Sequence, residues 1–95
     1  LLQKARPGNL ILYSLLEEML LNAAIHAKAT RIQVVAETLN NQHTFLVRDN
    51  GIGFDTQLVT AGNGLNYIKE QANYLGATLK IDSIPGKGTC IELVV

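Results

Sequence analysis

Glu18 and Asn22 stand four residues apart in an otherwise apolar run, so on a helix they share one face. A buried carboxylate and amide cost free energy unless they find partners. An amide oxygen is a good ligand for a hard cation, and a carboxylate can orient or deprotonate a hydroxyl. The pair is therefore a candidate cation-and-base site, the plain alternative being a capped or surface polar pair. Farther on, Asp49-Asn50-Gly51-Ile52-Gly53 sets an acceptor-only side chain beside two glycines that let the backbone turn tightly and approach a ligand. A carboxylate there can accept a hydrogen bond from an exocyclic amine such as that of adenine. Gly62-Asn63-Gly64-Leu65 precedes a helical pattern, and free N–H groups at a helix N-terminus favour an anion such as phosphate. Gly86-Lys87-Gly88-Thr89 is a turn whose threonine can reach a base directly or through water. Taken singly, each of these signals is also explained as an ordinary turn or cap.

The elements that must hold these residues follow from periodicity. Leu12, Leu15, Leu16, Met19, Leu20, Ala23 and Ala27 recur at helical spacing and predict an amphipathic helix over residues 10–27, entered through Pro7-Gly8-Asn9. Residues 31–38 and 44–48 are expected as strands joined at Asn40-Asn41, since Asn tolerates positive φ. A second helix is expected over 65–75, with Leu65, Ile68, Ala72 and Leu75 on one stripe and Gly76 as its stop. Residues 78–83 and 89–95 are expected as strands around the turn at Pro85-Gly86-Lys87-Gly88. The order helix, strand, strand, helix, strand, strand predicts an α+β fold with helices on one face of a mainly antiparallel sheet.

Composition narrows the function class. The chain has 95 residues, 47% of them hydrophobic, which suits one small domain with one core. Eight basic residues balance eight acidic ones, and no basic run stands out, so the footprint of a nucleic-acid binder is missing. A single cysteine, Cys90, cannot form an internal disulfide; a reducing compartment and a small core residue are expected. No apolar run approaches the roughly 20 residues of a membrane span. The Gly62-x-Gly64 pair lacks a preceding strand and a third glycine, which argues against a dinucleotide fold, and no Gly-x-x-x-x-Gly-Lys-Ser/Thr loop is present. The chain begins at Leu1, and the expectation is one domain over 1–95 taken from a longer protein.

Together the four signals resemble the GHKL superfamily of ATPases and kinases, most closely the ATP-binding domain of bacterial sensor histidine kinases. The stretch from Glu18 through Asn22 and His26 to Ala27 looks like that family's N box. Asp49 to Phe54 looks like its first glycine box, Gly62 to Leu65 like the second, and Pro85 to Thr89 like the closing motif. The form is nearest the subfamily that includes NarX- and DesK-like kinases, and the resemblance spans about residues 10–95. It implies a two-layer α/β sandwich of the Bergerat type with a mixed, mostly antiparallel sheet, the family's first strand being either truncated or outside this chain. It implies ATP and Mg2+ as ligands. Asn22 would hold the magnesium and Glu18 would act as general base or positioner. His26 would be a structural or phosphate-side residue. Asp49 would accept the adenine amine, with Gly51 and Gly53 shaping the base pocket. Gly62, Gly64 and Leu65 would line the phosphate side, and Thr89 would support the base.

The implied activity is transfer of the γ-phosphoryl to a histidine on separate dimerisation helices of the parent kinase, with a response regulator served indirectly. The domain would not autophosphorylate by itself. A cytoplasmic location is expected, without membrane contact by this domain and whether or not the parent is membrane-anchored. Two alternatives stand: an anti-sigma-factor-type serine kinase, and a degenerate nucleotide-binding or partner-interaction module. Ile25, where relatives commonly carry Lys or Arg, and the uncharged lid over 55–61 motivate the latter, apart from Asp55 at its start.

Overall fold

The computed structural model describes residues 7–54 and 65–95. Helix α1, Pro7–Leu21, starts at a proline whose fixed φ suits a first turn. It runs directly into a π turn, Asn22–His26, closed by Ala27 N–H donating to the Asn22 carbonyl at 3.0 Å. The periodic stripe thus marks the helical stretch correctly, but its last turn is wider than an α-helix. Lys28, at φ 52°, then ends it. Strands β1, Ile32–Leu39, and β2, Gln42–Asp49, form a hairpin whose turn residues Asn40 and Asn41 both have positive φ, as a type I′ turn requires.

Helix α2, Leu65–Leu75, stops at Gly76, which adopts φ 69°. Ala77 N–H reaches the Ala72 carbonyl at 2.9 Å and Gly76 N–H the Asn73 carbonyl at 3.1 Å, the paired bonds of a Schellman cap. Strands β3, Thr78–Ile84, and β4, Gly88–Val94, complete a four-stranded sheet of order β1-β2-β4-β3. Every pairing among these strands is antiparallel, so the described sheet is uniform where a mixed one was expected. β4 inserts between β2 and β3, which sets the ends of β2 and β4 side by side.

Both helices pack on one face. Leu15, Met19 and Ala23 of the first helical stretch meet Leu65, Ile68 and Ala72 of α2 over Val47, Ile91 and Leu93 of the sheet. Side chains alternate along strands, so Thr89, Ile91 and Leu93 point to the helices while Cys90 points away. Cys90 is accordingly half-buried on the uncovered face, beside Arg48 and Asp82 in register, and not in the core as expected. Tyr67 on α2 shares a 2.6 Å hydrogen bond with Ser14 on α1, tying the helices at their outer edge. β1 is an edge strand with almost every residue exposed.

Candidate functional site

Asp49 is the last residue of β2 and the register partner of Thr89, the second residue of β4. Directly paired residues project to the same face, their Cβ atoms about 5 Å apart. Both are buried, at 6% and 4% exposure, although both are polar. Burial at that cost demands partners, and each has some. Asp49 Oδ1 accepts the Gly51 N–H at 2.8 Å, which leaves Oδ2 without a partner among the described residues. Thr89 Oγ1 lies 2.8 Å from Ser83 Oγ.

The glycines explain how the chain fits so tightly here. A Cβ on Gly51 would sit 2.0 Å from the Ala27 carbonyl oxygen, so only hydrogen allows the loop after β2 to rest on the end of the π turn. Ile52 N–H donates to that same carbonyl at 2.7 Å. Gly53 combines φ +62° with a site where a Cβ would lie 2.1 Å from the Ile84 carbonyl oxygen. The Ile52 carbonyl accepts from Gly86 N–H at 2.6 Å, closing the loop against the β3–β4 turn. The loop from Asp49 to Phe54 is therefore stitched on one side to the π turn and on the other to the closing motif.

Asn22 opens the π turn. It is 4% exposed, and its side-chain amide makes no hydrogen bond to another described residue. Glu18, four residues earlier, is half-buried and likewise without a hydrogen bond or ion pair to the described residues. The unpaired amide atoms of Asn22 reach solvent rather than being sealed in the core, and an amide oxygen open in this way can serve as a hard-cation ligand. Among the described residues no group of three or more His, Cys, Asp or Glu side chains is gathered for a metal.

The structure thus brings Asp49, Gly51, Gly53 and Thr89 into one corner and joins the Asn22 turn to it through Ala27. Leu65 is buried at the start of α2, in the core beside Ala23. Gly62 and Gly64, like residues 55–61, lie outside the described residues, and so does the side chain of His26. Cavities of about 220 and 480 Å³ adjoin Asp49 at the open side of the sheet. A further cavity of about 410 Å³ between α2 and β3, lined by Phe54, Leu65, Lys69, Asn73, Leu79 and Ile81, has no carboxylate among its described lining residues. Its described lining does not hold the acceptor set that singles out the Asp49 corner.

Two residues of this corner have roles that the motifs do not assign. Asn50 Oδ1 accepts from Thr30 and Arg31 N–H at 3.0 and 2.9 Å, while its Nδ2 donates to Thr30 Oγ1 at 2.8 Å. It fixes the loop to the entrance of β1. Ser83, the register partner of Thr89 on β3, accepts Phe54 N–H at 2.9 Å and donates to the Gly88 carbonyl at 3.1 Å. Its signal in the sequence is a hydroxyl at the third inward position after Leu79 and Ile81.

Residues 9–95 match the family model described as Histidine kinase-, DNA gyrase B-, and HSP90-like ATPase. The chain belongs to this family. Among curated relatives, this ATPase domain is 39% identical over 85 residues to the sensor histidine kinase LiaS of Bacillus subtilis, covering 88% of this chain and 24% of that protein. It is 38% identical over 84 residues to the nitrate/nitrite sensor protein NarQ of Escherichia coli, covering 86% of this chain and 15% of that one. It is 37% identical to the kinase/phosphatase DegS of Brevibacillus brevis, covering 88% and 22%. The chain therefore spans about a quarter or less of these relatives. The fold also matches the blue-light activated histidine kinase of Erythrobacter litoralis EL346, with a TM-score of 0.78 at 23% identity over 93% of this chain and 30% of that one. Among the described residues, no helix of the ATPase domain is long and apolar enough to cross a membrane.

Proposed function

We propose that this ATPase domain is the Mg-ATP-binding catalytic domain of a two-component sensor histidine kinase. The observation that supports it most is the joining of the buried Asp49–Thr89 pair to the Asn22 turn through Gly51 and Ile52. In this reading Asp49 Oδ2 accepts the adenine amine, and Thr89 supports the same edge of the base. Asn22 holds the metal with its amide oxygen, and Glu18, one turn back, orients or deprotonates the attacking group. Gly62, Gly64, His26 and Leu65 belong to the phosphate side. Magnesium, when bound, neutralises charge on the phosphate oxygens; phosphoryl transfer asks the protein mainly for positioning and electrostatic stabilisation.

The acceptor is a histidine on dimerisation helices of the parent, from which a response regulator is served. The proposed location is the cytoplasm, where ATP is available. His43 is exposed and shares a 2.9 Å hydrogen bond with Thr38 Oγ1 on the hairpin, at the end of β2 opposite Asp49, and in this reading it is a solvated surface residue. The test adds the purified 95-residue chain, with labelled ATP and magnesium, to a separate fragment bearing the helices. Phosphate on the fragment's histidine supports the reading. Binding of ATP without transfer to any cognate fragment favours a module that binds nucleotide only. The observation that favours this second reading is Ile25, an apolar side chain 62% exposed on the π turn where a cation would serve the phosphates.

A further inference from the structure

The Ser83 hydroxyl occupies the junction of the corner that holds Asp49 and Thr89. A hydroxyl has one proton and two lone pairs. The Gly88 carbonyl can only accept, at 3.1 Å, and the Phe54 amide can only donate, at 2.9 Å. With its proton on Gly88 and one lone pair on Phe54, Ser83 has a single lone pair left for Thr89 Oγ1 at 2.8 Å. Thr89 therefore donates its proton to Ser83. This is the one arrangement in which all three contacts are hydrogen bonds, and it gives the buried Thr89 hydroxyl a place for its proton. Both Thr89 lone pairs then remain. Beside them, Asp49 has only acceptors, with Oδ1 already engaged by Gly51.

We propose that Ser83 is a specificity-determining positioning residue. By taking the Thr89 proton, it makes the Asp49–Thr89 corner a pair of acceptors, which selects an exocyclic amine over a ring carbonyl at the same position of the base. An amine offers two N–H donors to two acceptors. A carbonyl oxygen there meets lone pairs on both sides, an arrangement that leaves buried polar atoms unpaired and is rejected strongly. Without Ser83, the Thr89 proton is free to turn toward the ligand and the corner can serve either base. The inference rests on the nucleotide reading of this corner.

The test compares ADP with inosine diphosphate, which replaces the amine by a carbonyl and turns the adjacent ring N1 from an acceptor into an N–H donor, by titration calorimetry on the 95-residue chain. The N1 change is common to the unmodified chain and its variants, so the change in ratio between them reads the carbonyl. The unmodified chain binds ADP and discriminates against inosine diphosphate. Ser83→Ala lowers the ratio of the two affinities by about 3- to 10-fold, the worth of one hydrogen bond regained by the carbonyl. Loosening of the Phe54 amide in that variant affects both nucleotides alike and cancels in the ratio. Ser83→Thr, which keeps the hydroxyl, restores the original ratio. Should Ser83→Ala not fold by circular dichroism, Ser83→Cys fills the same space with a poor acceptor and carries the same comparison. An unchanged ratio in the folded variant overturns the proposal, as does a Ser83→Thr variant as permissive as Ser83→Ala. Absence of ADP binding by the unmodified chain overturns the nucleotide reading itself, and is seen before any variant is compared.

Discussion

Replacing Gly51 by alanine places a methyl carbon 2.0 Å from the Ala27 carbonyl oxygen and 2.7 Å from the Ala27 carbonyl carbon. Both neighbours include backbone, so no side chain can swing aside. Ordinary contact lies near 3.5 Å, and the loop must separate from the π turn by roughly 1.5 Å to reach it. The Ile52 N–H to Ala27 hydrogen bond, now 2.7 Å, then exceeds bonding range. Its loss, with imperfect burial around it, costs about 1–3 kcal/mol. For a domain of this size each kcal/mol lowers the melting temperature by roughly 4–8 °C. The same displacement carries the Gly51 N–H away from Asp49 and the corner away from Asn22. Gly51→Ala is therefore expected to lower ATP affinity at least about tenfold, or about 1.4 kcal/mol.

Gly86→Ala is the matched control. Its φ of +80° imposes strain of about 1–2 kcal/mol, yet nothing lies within 4 Å of the added carbon. Differential scanning calorimetry and titration calorimetry separate the two: both variants lose stability, but only Gly51→Ala loses nucleotide affinity. A Gly51→Ala variant that binds ATP as the unmodified chain does would refute the argument that this contact assembles the site.

Three further outcomes follow from the same geometry. Asp49→Asn replaces an acceptor by an amide and removes one charge-assisted hydrogen bond, worth about 1.5–3 kcal/mol; titration calorimetry should show ATP affinity reduced roughly 10- to 150-fold, and an unchanged isotherm excludes Asp49 from base recognition. Asn22→Ala should leave nucleotide binding partly intact but remove its magnesium dependence, and a surviving dependence means that the ligand lies elsewhere. Ile68→Ala, at a fully buried position of α2, should destabilise by about 2–5 kcal/mol in denaturant titrations; a loss under 1 kcal/mol would contradict the packing described.

Local chemistry made much of this molecule readable. The stripe from Leu15 to Ala27 marked the first helix because its buried residues recur once per turn, and Asn40-Asn41 and Gly76 marked turns because their backbone needs positive φ. The π turn was not readable. It is tied to Ile52 and Gly51, nearly thirty residues away, and local spacing cannot report a bond to a distant loop. The insertion of β4 between β2 and β3 is likewise a long-range pairing with no local signature. Cys90 was misplaced because a small apolar residue says nothing about which side of a strand is covered; its neighbour Thr89 takes the helix-facing position. The acidic, amide and glycine positions of the candidate site stood out in the sequence as polar or flexible residues in apolar surroundings. Asn50 and Ser83 did not, since their importance lies in the backbone groups they bind.

Amide chemical-shift mapping of the 95-residue chain on addition of magnesium and ADP asks where the nucleotide sits. If one cleft joins the β2 end to the π turn, the largest shifts fall together at Gly51, Ile52, Thr89 and residues 22–27. Shifts confined to Lys69, Asn73, Ala77 and Leu79, around the cavity between α2 and β3, with Gly51 and Ala23 unmoved, would place the ligand elsewhere and contradict the account.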